Sequence, residues 1–139
     1  MKSRSSGFSL IEIMLVIAIV GIIAAIAYPN YINQVRDGRR AEAVSILLEV
    51  ALAQERFRLN SPNYASSLTQ LGYTTATIQT TAGFYDIQID STKSTALTFE
   101  VSASAVAGTD QVNDTCGNFV INHNGPVTTA PNANQDCWN

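Results

Sequence analysis

The chain has 139 residues, enough for one modest domain, with its apolar residues so concentrated at the N-terminus that the remainder must fold around a small core. Its formal charge of -3 comes from eleven acidic against eight basic residues. Everything after Asn60 sets only Lys93 against six carboxylates, which argues against passive nucleic-acid binding, since that depends on neutralising phosphates.

From Phe8 to Tyr28 the sequence reads FSLIEIMLVIAIVGIIAAIAY, a run interrupted by one charge, Glu12. At the helical rise it spans roughly 31 Å, close to the hydrocarbon thickness of a bilayer. An ordinary signal anchor and a cleaved secretory signal are the plain alternatives. Ala25-Ile26-Ala27 has the form of a cleavage site, but the apolar stretch is long for a signal, contains a carboxylate and is followed at once by Pro29. Pro29 lacks a backbone donor, so the helix is expected to kink or pause there, and Gly21 loosens the apolar half as well.

Beyond Tyr28 the pattern is that of an amphipathic helix. Ile32, Val35, Ile46, Val50, Ala53 and Phe57 form a stripe once Arg39 and Glu42 are admitted to it, with Glu49, Glu55, Arg56 and Arg58 mostly outside. Asn60-Ser61-Pro62-Asn63 ends it. After a connecting segment containing Leu68, Leu71 and Gly72, the period changes to two. Tyr85, Ile87 and Ile89 alternate with polar residues, then Leu97, Phe99, Val101 and Ala103 do the same, predicting two half-buried strands. A third is expected over 118–122, ending in a turn at His123-Asn124-Gly125-Pro126. Three or four antiparallel strands on the amphipathic helix make an α+β head. Cys116 and Cys137 are read as a disulfide, worth roughly 3 kcal/mol in the chain-entropy account if the chain is exported. A metal site or redox pair is the competing reading, disfavoured by the single histidine, His123, and by a spacing unlike CxxC.

Gly7-Phe8-Ser9-Leu10-Ile11-Glu12, with the apolar run through Pro29, resembles the prepilin processing motif of type IV pilins. The Gly38 to Ala43 run, the Ala53 to Phe57 stretch, the Tyr64 to Gly72 segment and the closing Cys137-Trp138 look like the PilE-like minor pilins. The resemblance implies a leader over 1–7, a membrane and assembly helix over 8–28, and a pilin head over 29–139 that includes the amphipathic half of the helix. It implies a prepilin peptidase cutting between Gly7 and Phe8, N-methylation of Phe8, and Glu12 as the assembly carboxylate. The expected partners are other pilin subunits, the peptidase, the inner-membrane assembly machinery and, before assembly, lipid. The subunit is expected to cross the inner membrane once and then to join an extracellular filament.

Elementary electrostatics fits that implication. A carboxylate at the centre of a membrane helix costs roughly 2.5–3.5 kcal/mol, less near an end, and the Phe8 amine of a neighbour is the available partner for Glu12. Lys2 and Arg4 precede the span while Arg36, Arg39 and Arg40 follow it, so charge counting leaves the orientation open and the leader-inside arrangement comes from the resemblance. The three arginines are expected to meet lipid headgroups, carboxylates of neighbours or solvent. Asn113-Asp114-Thr115 is a formal glycosylation sequon, and Asp110, Asn113 and Asp114 form an acidic loop whose spacing fits no calcium motif. His123 reads as a surface or capping residue. No catalytic constellation stands out, so no enzyme activity, cofactor or metal is expected. The rival readings are a pilus-borne receptor for DNA or a surface, to be recognised by a basic or aromatic patch on the head, and a pseudopilin of a type II secretion system.

Overall fold

The computed structural model describes residues 8–138. One long helix, α1 (Leu10–Arg58), opens the chain, and two compact units divide it, one through Val35 and one from Arg36. In the first unit the residues from Phe8 through Tyr31 are all exposed, and the most apolar stretch has a mean hydropathy of 2.9 with none of it buried. This is one helix long and apolar enough to cross a membrane. Helical structure continues through Gly21 and Pro29, so the expected pause at Pro29 is not present.

In the second unit α1 buries Ala43, Leu47, Val50 and Gln54, spaced by three and four residues as one face of a helix requires. The predicted stripe is therefore displaced. Ile46, Ala53 and Phe57 flank the buried line and are only half-buried. The displacement has a cause at Gln54, a polar residue wholly buried because its amide is fully used: Nε2 donates to the Ala65 carbonyl and Oε1 accepts from the Ala65 N–H, both at 2.8 Å. The helix stops where Ser61 and Pro62 follow, and Arg58 Nη1 donates to the Ser61 carbonyl at 2.7 Å.

Five strands form one antiparallel sheet in chain order: β1 (Thr77–Gln79), β2 (Tyr85–Ile89), β3 (Glu100–Ala105), β4 (Phe119–Asn122) and β5 (Gly125–Pro126). The register aligns Ile89, Val101 and Ile121 in one row across the three central strands and Ile87, Ala103 and Phe119 in the next. All six are buried, so these rows are the sheet's half of the core and α1 supplies the other half. Leu97 departs from the expected alternation. It is 82% exposed in the turn before β3, which begins only at Glu100, although Phe99 is buried as its spacing predicts. The expected turn at His123–Pro126 is in part a strand, because His123 and Asn124 alone make the turn while Gly125 and Pro126 pair with Asn122 and Ile121. Gly125 has φ +107°, a conformation that suits glycine.

Cys116 and Cys137 are joined in a disulfide with Cα atoms 5.8 Å apart, the pairing expected from the sequence. Next to the bridge, the Trp138 ring meets Phe119 edge-to-face with centroids 5.3 Å apart. The Ala133 N–H donates to the Asn118 carbonyl at 2.8 Å, holding the C-terminal segment beside β4.

Candidate assembly site

Phe8, Ser9 and Glu12 lead into α1. The N–H groups of Glu12 and Ile13 donate to the Ser9 carbonyl at 3.1 and 3.2 Å, which starts the helix, and Glu12 lies in its first turn, where a carboxylate is favoured by the helix dipole. Phe8 is 79% exposed and Leu10 77%, and the apolar side chains from there to Tyr28 have no buried neighbour in this unit. The arrangement is a continuous apolar cylinder with one acid near its start, able to lie in lipid or against other helices. Gly7, the residue expected before the cleavage point, lies outside the described residues.

The arginines after the span do something the sequence did not suggest. Arg39 Nη1 lies 2.7 Å from Asp110 Oδ1, and Arg36 donates to the Asp110 carbonyl at 3.2 Å. Arg40 forms a two-pronged pair with Asp114, both contacts at 2.7 Å, and also reaches Asp37 at 2.8 Å. These intrachain carboxylates replace the expected lipid headgroups, neighbours or solvent. They come from the segment around a 3-10 turn over Asp110–Asn113, so α1 is fastened directly to the loop that leads into the disulfide. The acidic loop weighed for calcium thereby has both of its carboxylates engaged by arginine. Asn113 and Thr115 are exposed, whereas Asp114 between them is buried.

Asp114 is the hub of a buried polar network. Its side chain is only 2% exposed; it accepts from Gln111 Nε2 at 2.8 Å, from the Tyr85 hydroxyl at 3.4 Å and from the Cys116 N–H at 3.3 Å. Burial pushes its carboxyl upward, but the Arg40 hydrogen bonds, the Cys116 N–H and the Arg40 charge outweigh it and hold the group below its ordinary value. Burial pushes the Tyr85 hydroxyl up to about 12, so it remains a neutral donor. Arg39 also stacks over Phe84, its guanidinium carbon 3.4 Å from the ring centroid. Among the described residues, no group of three or more metal-binding side chains occurs.

The comparisons with known proteins converge on this geometry. A family model described as "Type IV minor pilin ComP, DNA uptake sequence receptor" matches residues 29–120, and one for the prokaryotic N-terminal methylation motif matches residues 2–28. This chain belongs to the ComP family of type IV minor pilins. The pilin is also 39% identical over 70 residues to the type IV major pilin protein PilA of Myxococcus xanthus, covering 50% of this chain and 32% of that protein. It is 36% identical over 83 residues to the type IV major fimbrial protein FimA of Dichelobacter nodosus, covering 60% and 52%. With a fimbrial protein of Pseudomonas aeruginosa it shares 35% identity over 99 residues, covering 67% and 64%. The pilin thus spans about a third to two thirds of the length of these relatives. Its α+β head, a long N-terminal helix on an open antiparallel sheet, is the type IV pilin fold.

Proposed function

We propose that this chain is a structural subunit of a type IV pilus, not an enzyme, and that it polymerises through its N-terminal helix. The observation that carries the reading is the fully exposed apolar helix with a single carboxylate, Glu12, four residues after Phe8. In this account a prepilin peptidase cuts between Gly7 and Phe8, Phe8 is N-methylated, and the subunit waits in the inner membrane, crossing it once. Assembly machinery then moves it into the filament. There the apolar helix exchanges lipid for neighbouring helices, and Glu12 pairs with the terminal amine of an adjacent subunit, which neutralises both and sets their stagger. Gly21 and Pro29 are the points at which the helix bends to fit its neighbours.

Glu12→Ala tests this directly. The variant is expected to accumulate in the membrane and to be depleted from sheared filaments. Incorporation at the parent level removes the pairing mechanism, and mass spectrometry of the same filaments reads whether the mature chain starts at Phe8 with an added methyl group.

The family description favours a second reading, reception of a DNA uptake sequence by the head. The charge of this head supports it poorly. Four of the six basic residues from Arg36 onward are paired with carboxylates, Arg58 is held by the Ala96 and Ser61 carbonyls, and Arg56 alone has no partner among the described residues. Direct DNA binding is therefore expected to be absent at physiological salt. A saturable mobility shift by the full chain in detergent, weakened by salt, would establish the receptor reading instead.

A further inference from the structure

From Leu59 to Tyr85 the head carries no charged side chain, only hydroxyls, amides and apolar groups. About a quarter of the residues in an ordinary domain are charged, so this stretch is a polar surface that offers an ion no counter-charge. Part of it, with the end of α1 and Ser94, forms a cleft of about 320 Å³, within the range of small-molecule sites. Phe57 and Tyr64 supply rings to its lining, and Ser61, Asn63, Gln70 and Ser94 supply hydroxyls and amides. No lining residue is charged. The charges beside it on α1 are turned to the chain itself, Glu55 accepting from the Tyr64 hydroxyl at 3.0 Å and Arg58 donating to the Ala96 and Ser61 carbonyls.

The polar groups of the cleft are free to bind. The side chains of Ser61 and Asn63 have no hydrogen-bond partner among the described residues. Gln70 Oε1 accepts from the Ser66 N–H at 2.7 Å, which fixes the orientation of the amide and leaves Nε2 as an unused donor. Ser94 Oγ donates to the Asp90 carbonyl at 3.1 Å and keeps its lone pairs for a second bond. Tyr64 is held at both ends, by Glu55 at its hydroxyl and by Phe99 at its ring with centroids 4.9 Å apart, so it stands as a rigid wall. Uncharged donors and acceptors set among aromatic rings match a sugar, whose hydroxyls both donate and accept and whose C–H faces lie against rings. We propose that this cleft binds a neutral saccharide, through hydrogen bonds to Asn63 and Gln70 and apolar contact with Phe57 and Tyr64. The inference goes beyond the filament reading and does not depend on it, because every lining residue belongs to the compact unit that begins at Arg36.

The test uses the full chain in a phosphocholine detergent, which carries no sugar. Chitotriose, cellotriose and maltotriose are titrated in turn, and binding is read by saturation-transfer NMR on the trisaccharide. Saturable binding of at least one of them, with a Kd of about 1 mM or below, is expected. Whichever binds most tightly names the source, chitotriose standing for the acetamido sugars of bacterial wall strands and the glucose trimers for external polysaccharide. Asn63→Ala removes an exposed amide that serves no contact within the chain, and should weaken binding about fivefold. Phe57→Leu keeps the apolar bulk but loses the ring, and should weaken it at least as much. Gln88→Ala, at an exposed position of β2 outside the cleft, should leave it unchanged. Circular dichroism of each variant verifies that the head is folded. No saturable binding of any of the three sugars overturns the proposal. Binding that Asn63→Ala and Phe57→Leu both leave at the parent level overturns it too, as does an equal loss in Gln88→Ala.

Discussion

Replacing Arg40 with alanine should strip the head of much of its stability, and the structure sets how much. The substitution removes both 2.7 Å contacts to a carboxylate that is only 2% exposed, leaving Asp114 with Gln111, the Tyr85 hydroxyl and the Cys116 N–H. Breaking a buried ion pair from one side costs about 3–5 kcal/mol; the Arg40 side chain is 19% exposed, so water enters in its place and the lower end, about 3 kcal/mol, applies. For a head of this size that corresponds to a melting point lower by about 12–24 °C, followed by near-ultraviolet circular dichroism of the full chain in detergent. The pH dependence carries the sharper signature. In the parent the Asp114 carboxyl lies below its unfolded value, so its contribution is present above the unfolded value and is lost as pH falls through the folded one. Without Arg40, burial raises that carboxyl, acid neutralises it, and the gap between variant and parent should narrow toward pH 4. Replacing both partners, Arg40→Met with Asp114→Asn, removes the buried charge while keeping an acceptor for Gln111, Tyr85 and the Cys116 N–H, and should recover part of the loss. A variant melting within 2 °C of the parent at pH 7, or a gap constant with pH, refutes the argument.

Two further outcomes follow from the packing. Gln54→Ala leaves the buried Ala65 N–H and carbonyl without partners and should cost about 2–4 kcal/mol, with faster hydrogen exchange at the Ala65 amide as the local readout. Reducing the Cys116–Cys137 bridge should cost about 3 kcal/mol and release Trp138 from Phe119, seen as a red-shifted tryptophan emission before the main unfolding transition.

The strands that were legible in the sequence are those with one dry face. Tyr85, Ile87 and Ile89 alternate because every second side chain enters the core, and the same holds for Phe99, Val101 and Ala103. β1 escaped notice since it is an edge strand of three residues with no buried side chain, and β5 has only two residues, one of them proline. Leu97 continued an apolar period past the point where the backbone turns away. The helical stripe was misplaced because Gln54 occupies a core position, and a buried amide looks like a surface residue until its backbone partner at Ala65 is known. The pairing of Arg39 and Arg40 with Asp110 and Asp114 crosses 71 and 74 residues, a separation over which a single sequence carries no local signal. The N-terminal motif was readable for the opposite reason, as its residues lie within one short segment.

The strands succeed one another across the sheet in the order in which they are made. Each new hairpin finds its template already in position, so a chain emerging on the far side of a bilayer can lay down its sheet progressively. No strand has to thread between two earlier ones. Cys137, arriving after all five, can then lock a surface that is already built.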